Sequence, residues 1–171
     1  HFFYKPTVNV DDWKKLQDDS VKLMKYFEES IGPYPWKQYS IIQGGDGGME
    51  YAMCTMITGE RPYPSLLGVT AHEMAHAWFQ HLLATNEAKH AWMDEGFTEY
   101  VTSLSENYVN DVDPEFPHKS SYDRYYLLAS SGFEQAQTIH SDRYDYNFAY
   151  GASAYSLSLI HISEPTRPNC I

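Results

Sequence analysis

Two histidines four positions apart, His72 and His76, with Glu73 beside the first, stand in a run from Leu66 to Leu83 whose apolar residues recur at helical spacing. No other feature constrains the chain as much. On an α-helix four residues advance about 400° at about 100° each, so His72 and His76 lie about 40° apart on one face, one turn above the other. Both imidazoles can reach one metal ion. Glu73 falls about 60° beyond His76 in the same projection, beside the ion, where its carboxylate can hold a bound water as a general base. Two imidazoles leave a catalytic metal one protein ligand short, since such sites usually hold three and keep a position open for water. The third candidate is Glu95, in Trp92-Met93-Asp94-Glu95-Gly96-Phe97 at the start of the next expected helix, 19 positions after His76. With 8 His and 12 Glu in 171 residues, H-E-x-x-H arises by chance in about one such chain in 40, and requiring Glu95 as well lowers that to roughly one in 550.

Composition narrows the rest. A chain of 171 residues that is 43% hydrophobic and 16% aromatic can bury a core, as one domain or a piece of a larger one. The 12 Lys and Arg against 23 Asp and Glu leave a net charge of −11, the wrong sign to displace counterions from a phosphate backbone, so no nucleic-acid partner is expected. No run of 18 apolar residues is present, and no membrane segment is expected. The first residues lack the charged start and small-residue cleavage site of a signal peptide, and there is no initiator Met, so the chain is expected to begin inside a longer protein. Cys54 and Cys170 make no disulfide framework, and the fold must rest on its core or on a metal.

Along the chain, His1 to Lys5 reads as the end of a strand, and Asn9-Val10-Asp11-Asp12 as the polar cap of a helix. In that helix Trp13, Leu16, Leu23, Phe27 and Ile31 recur at helical spacing, Ser20 fills the gap in the stripe, and Gly32-Pro33 stops it. Trp36 to Gln43 reads as a short strand, Gly44 to Gly48 as a glycine-rich turn, and Met49 to Ile57 as a second strand. After the motif helix a polar loop is expected, then a helix from Trp92 to Val109 with Phe97, Val101, Leu104 and Tyr108 on one side. Asn110 to Pro117 reads as an acidic surface loop and Lys119 to Phe133 as a further helix. His81 and His90 fall off the metal face or into a loop and are expected to be structural. Glu99, one turn after Glu95, either orients a zinc-ligating histidine or faces solvent.

These residues resemble the zinc aminopeptidases typified by aminopeptidase N and the bifunctional leukotriene hydrolase, in the gluzincin clan. The resemblance covers about residues 1 to 156, through His72-Glu73-x-x-His76, Glu95 within W-M-D-E-G-F, and Gly47-Gly48-Met49-Glu50-Tyr51, which is similar to the family's G-x-M-E-N segment with Tyr51 in place of Asn. It implies an α+β fold, the thermolysin-like catalytic domain, mainly helical with a small sheet. It implies one zinc ion on His72, His76 and Glu95, with Glu73 as the general base. It also implies that Gly47, Gly48, Met49 and Glu50 lie along the substrate, with Glu50 binding the free α-ammonium of a peptide. An exopeptidase must count one residue from the N-terminus, and a carboxylate fixed at a set distance from the metal does so by pairing with the cation every free N-terminus carries.

The family also uses a Tyr to stabilise the oxyanion. The stretch Asn147 to Ser156 is similar to the one leading into that segment, which implies Tyr155 for the role, with Tyr150 as runner-up. The Lys-Gly-Ala expected next is absent, and residues 157–171 read instead as a non-native tail, so that His161 and Cys170 are expected to carry no function. The implied activity is hydrolysis of the N-terminal peptide bond of peptides with a free N-terminus. Two alternatives stand beside it: a glycyl-aminopeptidase-like or epoxide-hydrolysing clan relative, and a non-catalytic zinc-stabilised fragment.

Overall fold

The computed structural model describes residues 1–45 and 47–163. Helix α1 (Val10–Ser30) buries Trp13, Leu16, Ser20, Leu23 and Phe27, so the stripe of the sequence is its core face. Asn9 precedes it in the left-handed region, at φ 50, and its carbonyl accepts the first helical bond from the Trp13 amide at 3.0 Å. The polar cap is positional only. The Asn9 side chain makes no bond to the helix and donates instead to the Arg61 carbonyl at 3.1 Å.

Four short strands form one sheet: β1 (Phe2–Phe3), β2 (Ser40–Gln43), β3 (Gly48–Tyr51) and β4 (Cys54–Ile57), in the order β1-β2-β4-β3. β1 and β4 run parallel to β2, and β3 runs antiparallel to β4 with Gly48 opposite Ile57 and Tyr51 opposite Cys54. Met49 to Ile57 is therefore a hairpin and not the single strand expected. It reverses at Ala52-Met53, neither a usual turn residue. Pairing of β4 with β2 on its other side holds the reversal in place. β2 is also shorter than expected, since Tyr34 and Trp36 pack ring to ring, 5.3 Å apart, ahead of it.

Helix α2 (Tyr63–His76) continues into a π-helical turn, Ala77–Leu82. Leu66, Leu67, Ala71, Met74 and Ala75 are buried in the core that α1 and the sheet share. The π turn seats Trp78, whose ring lies 5.5 Å from Phe27 and 5.6 Å from Tyr34, and whose indole N–H donates to the Gly32 carbonyl at 2.8 Å. Helix α3 (Glu87–Val109) starts earlier than the expected Trp92, because the Asn86 side chain caps it by accepting from the Lys89 amide. The expected polar loop shrinks accordingly. His90, placed in that loop by sequence, sits at a break inside the helix at φ −133, ψ 50. The expected apolar side of α3 is not its buried face: Val101 is buried, but Tyr108 is 52% exposed, and the residues facing inward include Asp94, Glu95, Thr98, Thr102 and Ser105.

Of the later described elements, the π turn Gly151–Leu157 and the helix after it pack on α3, and the helix Lys119–Ser131 packs on that π turn. Helix α4 (Lys119–Ser131) ends at Gly132, and a short helix α5 (Asn147–Tyr150) runs through a π turn, Gly151–Leu157, into α6 (Ser158–Ser163). Of the tail set aside at the sequence level, residues 158–163 are this last helix, with Leu159 fully buried. Ser158 lies against Gly96, where an added Cβ would come within 2.5 Å of the Ser158 Cβ. Residues 164–171, Cys170 among them, lie outside the described residues.

Candidate active site

The last two turns of α2 and the second turn of α3 after its break meet face to face. His72 Nε2 and His76 Nε2 lie 3.1 Å apart, and Glu95 Oε2 stands 3.1 Å from the first and 3.4 Å from the second. Three donors, two imidazoles and one carboxylate, thus share one corner. A tetrahedral ion with bonds of about 2.1 Å holds neighbouring ligands roughly 3.4 Å apart, so this triangle fits a zinc ion in both donor type and size.

The outward nitrogens are also held. His76 Nδ1 is 2.9 Å from Asp94 Oδ1 and 3.2 Å from the Thr98 hydroxyl, and His72 Nδ1 is 3.3 Å from Glu99 Oε2. A carboxylate on Nδ1 keeps the proton there and aims the Nε2 lone pair inward. Glu99 is thereby placed on the His72 imidazole and not in solvent. Sequence reading gave Asp94 and Thr98 no role, although their spacing from Glu95 on one helix, one position before and three after, was a usable signal.

Burial opposes charge on both imidazoles, but bonds to Glu95 and Glu99 outweigh it at His72 and raise its pKa to about 9. At His76 bonds to Asp94 and Glu95 do the same. Burial would push the Glu95 carboxyl up, yet the two imidazoles pull it well below the usual carboxylate range. Glu95 therefore stays an anion while 8% exposed. Glu73 behaves in the opposite way. Burial raises its pKa to about 7 against the pull of both imidazoles, and its Oε2 has no hydrogen-bond partner among the described residues. An unpartnered carboxylate oxygen in a site this dry costs free energy unless something polar comes to it.

Glu73 lines a cavity of about 370 Å³ with Gly48, Met49, Glu50, Tyr150 and Tyr155 together with the three candidate ligands. The volume suits a small ligand or one end of a larger one. Gly48 comes so close to α2 that a Cβ there would collide with Glu73 Oε1 and lie 2.7 Å from Val69 Cγ2. Only glycine allows this approach. Glu50, two residues on, is half-buried, its carboxyl raised by burial, and its oxygen lies within 4.8 Å of ligand atoms of Glu73 and His76. Met49 projects a 37% exposed side chain at the rim, and Gly47 lies outside the cavity. Glu50 also comes within 4.8 Å of Glu87 and Asp94, neither of which sequence reading connected with it.

The Tyr155 ring stacks on His72 with centroids 5.5 Å apart and 17° between planes, and its phenol bonds to Glu95. Burial and the nearby Glu95 push this phenol far above its ordinary pKa, so it remains a donor. Tyr150 packs edge-on against Tyr155 at 6.1 Å. His81 and His90 stay outside the cluster.

Comparison with known proteins gives a consistent picture. The model of the peptidase family M1 domain matches residues 16–158. Leukotriene A-4 hydrolase of Xenopus laevis is 35% identical over 112 residues, which are 56% of this chain and 18% of that protein. Leucine aminopeptidase 2 of Sclerotinia sclerotiorum is 33% identical over 96 residues, 51% of this chain and 15% of that one. The chain thus spans less than a fifth of the curated relatives it matches. A solved M1 zinc metallopeptidase mutant from Deinococcus radiodurans, bound to a Tyr-Ser-Ala substrate, superposes with a TM-score of 0.64 at 20% identity, over 84% of this chain and 31% of that one. At this identity the superposition shows a shared fold.

Proposed function

Because the chain belongs to peptidase family M1, we propose that residues 1–156 supply the catalytic region of a zinc aminopeptidase that removes the N-terminal residue of peptides with a free N-terminus. The observation that carries this reading is the meeting of His72, His76 and Glu95 donors within 3.4 Å of one another beside the unpartnered carboxylate oxygen of Glu73. His72, His76 and Glu95 would hold a single zinc ion. When bound, that ion supplies Lewis-acid polarisation of the scissile carbonyl and of the attacking water.

The side chains of this chain do the remaining work. Glu73 takes the proton of the attacking water and returns it to the leaving amine, and burial of its carboxyl favours uptake of that proton. Tyr155 keeps its proton and donates a hydrogen bond to the oxyanion that develops at the carbonyl. Asp94, Thr98 and Glu99 hold the imidazoles in place through their outer nitrogens. Substrate adds to the free edge of β3, and the Glu50 carboxylate pairs with its α-ammonium. Gly48 brings that edge against Glu73, so the bond one residue in from the ammonium lies at the base.

The test is Glu73→Gln in the full-length protein. Zinc should stay near one equivalent by elemental analysis, while hydrolysis of aminoacyl arylamides falls by several orders of magnitude, on the order of 10³-fold or more. Retained turnover would remove Glu73 from the role.

A further inference from the structure

The loop between β4 and α2 carries an arginine for which the proposed mechanism has no use. Arg61 Nη2 donates to the Gly47 carbonyl at 2.6 Å, Nε to the Thr58 hydroxyl at 3.0 Å, and Nη1 to the Ser65 hydroxyl at 3.3 Å. The Thr58 hydroxyl points at the same Gly47 carbonyl from 3.5 Å. One guanidinium thus joins three places: the residue just before β3, the end of β4, and the first turn of α2. Its own backbone carbonyl is tied to Asn9 at the head of α1.

The strand it anchors is held by β4 on one side and rests on α2, and its other edge has no partner strand among the described residues. β3 is four residues long, forms the edge of the sheet, and pairs only with β4 among the described residues. A short edge strand of this kind frays readily. Its first residue, Gly48, already touches Glu73 and Val69 on α2, so a shift of Gly47 passes directly into the spacing between β3 and the base. The planar fork of arginine suits such a bracket, because it fixes direction as well as distance.

We infer that Arg61 is a positioning residue that sets the distance between the substrate-bearing strand and the H-E-x-x-H helix, and that it acts on the part of the peptide beyond the scissile bond. The inference rests on the aminopeptidase reading. In that reading Glu50 marks the amine end of the substrate and Gly48 lies at the base, so Gly47 falls on the far side of the cleaved bond. The second cavity around Glu73, about 480 Å³ and lined by Gly48, Arg61, Ser65, Val69 and Tyr155 among others, opens on that side. Residues that follow the first one in the substrate pass there, whereas an aminoacyl arylamide offers only its small leaving group.

The experiment compares Arg61→Met and Arg61→Lys with wild type in the full-length protein, using a tetrapeptide and an aminoacyl arylamide with the same first residue. Arg61→Met should raise KM for the tetrapeptide roughly tenfold, with kcat changed far less, and raise that for the arylamide by no more than about threefold. Arg61→Lys, which keeps a charged donor for the Gly47 carbonyl, should recover part of the loss. Amide hydrogen exchange provides a readout independent of turnover. Residues 48–51 should exchange at least tenfold faster in Arg61→Met, with α2 unchanged. Equal changes for both substrates, or unchanged exchange in β3, would overturn the inference and leave Arg61 as an ordinary structural residue. A wild-type protein that binds zinc but cleaves neither substrate overturns the aminopeptidase reading, and the bracket itself then stands or falls on the exchange of β3.

Discussion

α1 and α3 are the two longest helices among the described residues, 21 and 23 residues, and their inner faces differ: α1 buries four large apolar side chains beside Asp19 and Ser20, α3 mostly polar ones. α1 turns Trp13, Leu16, Leu23 and Phe27 inward, and each such side chain contributes roughly 1.5–3 kcal/mol by leaving water. α3 turns inward Asp94, Glu95, Thr98, Thr102 and Ser105, which gain little from burial and cost free energy unless each finds a partner. They do find partners. Asp94, Glu95 and Thr98 meet the two imidazoles, Thr102 donates to the Thr98 carbonyl at 2.8 Å, and Ser105 donates to the Thr102 carbonyl at 2.9 Å. The difference separates scaffold from site. A helix whose stability comes from elsewhere can use its inner face to hold ligands, and α1 with the sheet supplies that stability.

The largest effect that would sharpen this division is expected on the scaffold side. Phe27 is fully buried against Trp78, so Phe27→Ala should destabilise the fold by about 3–5 kcal/mol in denaturant titration, through lost transfer and the cavity left behind. Zinc content of the remaining folded protein should not change. If metal affinity fell along with stability, core and site would be one cooperative unit and the division would fail.

The complementary change lies on α3. Asp94→Ala removes the carboxylate 2.9 Å from His76 Nδ1 and leaves only Thr98 to orient that ring. Zinc affinity should drop about 10–100-fold in competition with a chelator, equivalent to roughly 1.4–2.7 kcal/mol. Unfolding of the metal-free protein should shift less than for Phe27→Ala. A metal affinity left unchanged would mean that packing alone holds the His76 ring.

Sequence pattern made α1 legible almost to the residue, because its apolar stripe has one period, one face and a Gly-Pro stop. It made the grouping of His72, His76 and Glu95 legible for a related reason: His72 and His76 are fixed by helix geometry, and only Glu95 had to be found at a distance. What stayed hidden depends on contacts between elements. The reversal at Ala52-Met53 has no turn residue and exists because β4 is claimed by β2 on one side and β3 on the other. The inner face of α3 could not be read from hydrophobicity, since it is lined by carboxylates and hydroxyls that the imidazoles of α2 and the backbone carbonyls of α3 itself make tolerable. For the same reason Asp94 went unassigned beside Glu95, and Arg61 in an ordinary loop gave no signal at all.

The smallest expected effect tests whether every polar group on the inner side of α3 is matched. Glu106 is the exception to look for. Its carboxyl lies so close to Gly68 of α2 that a Cβ there would stand 2.6 Å from Oε1, and burial raises its pKa to about 7, helped by the charge of Glu99. A folded-state pKa above the unfolded one means that the native protein binds a proton that the unfolded chain releases between the ordinary value of 4.5 and about 7. Stability from this group is therefore complete below pH 4.5 and is lost as pH rises through 7. Glu106→Gln keeps the shape and removes the titration, so the thermal midpoint of the variant, relative to wild type, should climb between pH 5 and 8 by a few °C at most. A difference independent of pH over that range would show Glu106 ionised throughout, and the inner face of α3 would then carry a charge that the fold had fully accommodated.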